Sequence, residues 1–179
     1  MSFLSRRRFM ELGWVGMTAA LLPRELSAEE APIDAFLGTY RHAGGQKERE
    51  ARDKAIEDVV ADMSFISRGI ARDKLKQSNP IATKLELSAD AKDLTVTMDT
   101  RTYKGPLDGS PVKVKTILGD EMDMRFKLKK RALDQVFSAE DKSRLNAYRF
   151  DGDKLVVNVR VHASALPKDL VYKMTYERV

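Results

Sequence analysis

The chain of 179 residues contains no cysteine. That absence excludes disulfides, a lipid-modified cysteine anchor, a thiol nucleophile and any cysteine-based metal site, so the fold must hold by packing alone. Histidine is nearly as scarce, with only His42 and His162. A catalytic triad or zinc centre needs several converging groups at short range. His162 falls on the polar face of a predicted strand and His42 at a strand end beside Gly44, so both are expected on the surface. A haem would need one of them to face an apolar cavity. Neither sign of charge dominates: 32 basic residues stand against 27 acidic ones, for a net charge of +5. A nucleic-acid footprint needs lysine and arginine clustered on one face with aromatics among them. The densest run, Lys127-Leu128-Lys129-Lys130-Arg131, reads as a solvated strand end followed by a turn. Nucleic acid is therefore not an expected partner. Long apolar runs are missing too: beyond residue 28 nothing approaches the roughly 20 residues of a membrane span. The remainder is expected to be soluble and not membrane-spanning.

What is present begins with residues 1–28, which read as a removable export signal. Ser5-Arg6-Arg7-Arg8-Phe9-Met10-Glu11 resembles the twin-arginine motif, in which Ser-Arg-Arg is followed by any residue, then Phe, Leu and Lys. The first five positions match; Met10 departs mildly and Glu11 in place of lysine departs more. Leu12 to Leu22 is a short apolar run of signal-core length, and Leu26-Ser27-Ala28 offers a small residue before the cut. A general secretory signal with a basic start is the alternative. The resemblance implies the twin-arginine export machinery as a partner and a periplasmic location. Residues 29–179 then form one domain, long enough to bury most of its apolar surface.

In that domain Ile33 to Tyr40 reads as a first strand, ended by Gly44-Gly45. Residues 46–76 form the helical region, with Ile56, Val59, Val60, Met63, Ile66 and Ile70 at three- and four-residue spacing. Gly69 marks a candidate break within it, and Ser78-Asn79-Pro80 stops it. From Ile81 the period changes to two. Leu85/Leu87, Leu94/Val96/Met98, Met122/Met124/Phe126/Leu128, Leu155/Val157/Val159/Val161 and Leu170/Tyr172/Met174/Tyr176 each alternate with polar residues, giving strands with one dry face. The punctuation is short: Asp90-Ala91-Lys92, Asp108-Gly109-Ser110, Leu118-Gly119-Asp120, Glu140-Asp141-Lys142 and Asp151-Gly152-Asp153. Such gaps permit only hairpins, because parallel pairing needs a longer crossover. The expected fold is mainly β: an antiparallel up-and-down barrel of 8–10 strands with one helical insertion after the first strand. Closing the sheet, or folding it into a sandwich, is what buries a continuous apolar face.

Strand, helical insertion, then meander is the chain order of the fatty-acid-binding proteins, which belong with the lipocalins to the calycin barrels. Phe36-Leu37-Gly38-Thr39-Tyr40 resembles that family's Phe-x-Gly-Thr-Trp opening, with Tyr40 in place of the tryptophan. Met63 to Leu75 is similar to its second helix, and Asp153-Lys154-Leu155-Val156-Val157 and Tyr176-Glu177-Arg178-Val179 resemble its last two strands. The family's Arg-x-Tyr grip on a ligand carboxylate falls at Met174 and Tyr176, so the arginine is missing there. The helical insertion is also longer than the family's. An exported location suits the lipocalin branch better.

The resemblance implies a hydrophobic small molecule, such as a lipid, fatty acid or isoprenoid. The inward positions expected to line its site are Met98, Met122, Met124, Phe126, Val157, Val159, Met174 and Tyr176; the bland alternative is a filled core. Methionine suits an adaptable apolar surface. No catalytic residue, metal site or cofactor is expected. The acidic groups Asp120/Glu121/Asp123 and Asp151/Asp153 lie in predicted turns, Asp151-Gly152-Asp153 is too short for a calcium loop, and Gly44-Gly45 lacks the rest of a phosphate-binding motif. Two further readings stand beside carriage. One is an envelope interaction module with a solid core, docking through its helix. The other is an isomerase or cyclase with Tyr176 or Tyr148 as the acid.

Overall fold

The computed structural model describes residues 33–179. The expected export signal, residues 1–28, lies outside the described residues. A 3-10 turn, Ile33–Ala35, leads into strand β1, Gly38–His42. Two helices follow, α1 at Gly45–Val60 and α2 at Phe65–Ser78. Nine strands complete the chain: β2 Lys84–Ala89, β3 Asp93–Met98, β4 Arg101–Pro106, β5 Val112–Lys115 and β6 Glu121–Lys129. After them come β7 Ala132–Ser138, β8 Lys142–Asp151, β9 Lys154–Ala163 and β10 Leu170–Arg178.

All ten strands form one sheet in the order β4-β3-β2-β1-β10-β9-β8-β7-β6-β5. Every pairing is antiparallel. Only β1–β10 joins strands that are not consecutive in chain order, and that pairing turns the meander into a near-barrel. Edges β4 and β5 face each other without a ladder. Side chains fill the gap: a Cβ at Gly105 would lie 3.0 Å from the Met124 methyl and 3.4 Å from both Phe126 and Val112. Glycine on β4 lets β5 and β6 approach that closely.

The register brings apolar partners together on the inward face, such as Leu85↔Met98, Met174↔Val157 and Tyr176↔Leu155. Phe36 and Tyr40 pack at the end away from the helices, where the Tyr40 hydroxyl donates to the Phe36 carbonyl at 2.8 Å. The helices sit at the other end, against which the β3–β4, β5–β6, β7–β8 and β9–β10 turns also open.

The structure departs from the sequence expectations in four places. The first strand begins at Gly38 rather than Ile33, because Ile33–Ala35 coils into a 3-10 turn. The helical break comes at residues 61–64, not at Gly69. Ser64 leaves the helical region with ψ 152° and accepts from the Ser67 amide at 3.4 Å, which starts α2 afresh. The apolar stripe is only half buried: Ile56, Val59 and Val60 enter the core, while Ile66 and Ile70 are 81% and 59% exposed. His42 is buried rather than superficial, with its side chain 3% exposed. Its Nε2 lies 3.0 Å from Glu48 Oε2 in the first turn of α1.

Candidate functional site

Beneath α2 and the four turns at the helical end lies a cavity of about 1110 Å³. Met63, Ile70, Ala71 and Leu75 roof it, Met98, Tyr103, Met122, Phe137 and Val161 form its walls, and Leu118 and Leu166 stand at its lip. Tyr103 and Phe137 meet edge to face, their ring centroids 5.1 Å apart. The volume is ample for a drug-sized or lipid-like molecule.

The eight sequence-predicted residues divide between this cavity and the packed interior. Met98 and Met122 border the cavity. Met124, Phe126, Val157, Val159, Met174 and Tyr176 are each 2% exposed or less and do not border it. They fill the barrel toward the end away from the helices. The interior is thus hollow near the helices and solid below. Tyr148 and Tyr176 lie in the solid part, where burial pushes both hydroxyls well above the usual phenol range. Both act as neutral donors, Tyr148 to Gln135 Oε1 at 2.9 Å and Tyr176 to the Ala82 carbonyl at 3.1 Å.

One wall of the cavity is polar, and its centre is Arg144 on β8. Arg144 pairs with Phe137 of β7 and Val161 of β9, so it shares their inward face. Its Nε donates to Asn146 Oδ1 at 2.8 Å. Its Nη1 donates to Asn79 Oδ1 at 2.8 Å and to the Ser78 carbonyl at 3.3 Å. Its Nη2 lies 3.3 Å from the Tyr172 hydroxyl. All four partners are neutral. Further in, Asn146 Nδ2 donates to Gln135 Oε1 at 3.0 Å, and Gln135 Nε2 has no partner among the described residues. Lys142 also borders the cavity, but Asp120 Oδ2 neutralises it at 2.7 Å. Arg144 is therefore a cation on a partly open, largely apolar cavity without a carboxylate beside it. Such a charge favours an anionic partner.

Sequence reasoning missed Arg144. The signal was a period-two run, Arg144, Asn146 and Tyr148, whose inward face is polar and so reads as a solvated one. His162, expected on the surface, is exposed; it bonds Asp169 at 2.8 Å and stands at the lip of the cavity.

No protein-family model matches the chain, and no curated protein sequence matches it. Solved structures do resemble it. Lipid binding protein 8 of Caenorhabditis elegans superposes with a TM-score of 0.54 at 6% identity, covering 82% of this chain and 97% of that one. The REP1-NXSQ fatty acid transporter gives 0.53 at 15% identity, with coverage of 82% and 97%. Fatty-acid-binding protein 1 of Echinococcus granulosus gives 0.50 at 17% identity, with coverage of 82% and 98%. At these identities the likeness is one of fold: residues 33–179 share with these structures an antiparallel near-barrel with two helices after the first strand.

Proposed function

We propose that this protein binds and carries a hydrophobic small molecule bearing an acidic group, without catalysis, outside the cytoplasm. The observation that carries this reading is Arg144, a cation with only neutral partners on the wall of an apolar cavity of about 1110 Å³. The chain of the ligand lies against Met98, Met122, Tyr103 and Phe137, where release of apolar surface from water drives binding at about 25 cal/mol per Å². The acid meets Arg144, a charge-assisted contact. The similar solved structures are those of a fatty acid transporter, a lipid binding protein and a fatty-acid-binding protein, which supports this chemistry. The missing arginine on β10 is met by one on β8.

The fluorescent acid 11-(dansylamino)undecanoic acid is expected to bind saturably, and Arg144→Gln to weaken it about tenfold. No binding by the unaltered protein would end the carrier reading. Export is proposed through residues 1–28 by the twin-arginine route. Replacing Arg6 and Arg7 with lysine is expected to retain the protein in the cytoplasmic fraction; undiminished export would favour the general secretory route. One observation favours an interaction module instead: Phe65, Ile66 and Ile70 stand 91%, 81% and 59% exposed on α2. That reading takes over if the cavity holds nothing.

A further inference from the structure

Asn79 is fully buried although it directly follows α2, and it joins four elements. Its Nδ2 donates to the Leu75 carbonyl at 2.9 Å, closing the last turn of α2. Its own carbonyl accepts from Arg52 Nη1 of α1 at 2.7 Å. Its Oδ1 accepts from Arg144 of β8 at 2.8 Å and from the Tyr172 hydroxyl of β10 at 3.4 Å. Arg144 also holds the Ser78 carbonyl, at the very end of α2. A guanidinium has five N–H donors. Four are engaged here, and two of those go to the end of the helix that roofs the cavity.

An acid reaching Arg144 in its strongest geometry needs two parallel N–H donors. The guanidinium has one free, so the acid must displace a resident acceptor. Asn146 is held by Gln135 within the barrel wall, whereas Asn79 and Ser78 belong to the helical roof. We propose that Asn79 is an internal competitor for the ligand's acidic group, so that acid binding at Arg144 and closure of the C-terminal turn of α2 oppose one another. The inference rests on the carrier reading and assigns Asn79 the role of setting the site's preference between acids and neutral lipids. Occupation of Arg144 by an acid frees the end of α2. A ligand without a charge leaves Asn79 and Ser78 in place. Coupling of this kind is reciprocal: whatever strengthens the Asn79–Arg144 contact weakens the acid by the same factor.

The test compares 11-(dansylamino)undecanoic acid with its methyl ester. Asn79→Asp sets a carboxylate against Arg144 and is expected to raise Kd for the acid about tenfold while leaving the ester within about twofold. Asn79→Ala is expected to increase the preference for acid over ester about threefold. Because Asn79 also supports α2, a measurement on the unaltered protein stands beside the variants. Saturating acid should speed amide hydrogen exchange across residues 71–79, and saturating ester should not. Failure of both compounds to bind would overturn the carrier reading and this inference with it. Binding of the acid with unchanged exchange at 71–79, or an Asn79→Asp variant that binds it as before, would overturn this inference alone.

Discussion

Glu48 shows how one side chain fixes the orientation of the helical insertion. Where β1 ends, the Thr175 amide of β10 loses its ladder partner, and Glu48 Oε2 accepts from it at 2.8 Å. Oε1 accepts from the Thr175 hydroxyl at 2.6 Å, and His42 supplies a third contact. The approach leaves no room at Gly44, where a Cβ would fall 1.9 Å from Oε2. Burial pushes the Glu48 carboxyl up, but bonds from Thr175 and His42 outweigh it and hold the group below its ordinary value of 4.5. A carboxyl so lowered binds fewer protons folded than unfolded. Its stabilisation is complete above pH 4.5 and drains as pH falls through the folded value. Glu48→Gln is therefore expected to cost about 1.5–3 kcal/mol at pH 7. Urea titrations across pH 2–7 should show the gap to the unaltered protein closing at the acid end; a constant gap would refute the ionised clamp. Neither Glu48 nor His42 was legible as a pair. His42 sits at a strand end beside Gly44, and only the fold brings the first turn of α1 across to β10.

Among the elements, what the sequence reveals depends on how strictly polarity follows geometry. Strands β2, β3, β6, β9 and β10 alternate cleanly and were legible. Strand β7 was not, because Leu133, Asp134 and Gln135 are all buried and the period of two disappears. The β3–β4 hairpin escaped as well. Asp99 takes φ 52° without a glycine to announce it, and its carboxylate is fixed by the Thr83 and Lys84 amides. In the helices, glycine gave a false signal: Gly69 lies inside α2, and a Cβ there meets nothing within 4 Å. Its φ is ordinary for a helix, so the glycine only weakens α2. Gly69→Ala is expected to stabilise the protein by about 1 kcal/mol, raising the melting temperature in calorimetry. A loss of stability would mean that α2 needs the freedom glycine gives it, as a roof that must move.

For the whole molecule, the alternating strands predicted the enclosure but not its contents. The same apolar inward pattern yields a solid core at one level and a cavity at another. The difference is set by the helices and turns: they hold α2 over one end, while Phe36 and Tyr40 pack at the other. Met98 and Met122 border the space and the six other predicted residues lie beneath it, a division of depth that period-two reasoning cannot make. The cationic wall was hidden for the opposite reason, since a polar face turned inward is indistinguishable in sequence from one turned to water.

The proposed ligand is an amphipathic acid that occupies this space against Arg144. Native mass spectrometry of the protein purified without detergent is the decisive measurement. A bound species with the mass of a lipid-like acid, depleted in Arg144→Gln, is expected. The bare mass for both proteins, or an adduct equally abundant in each, would contradict it.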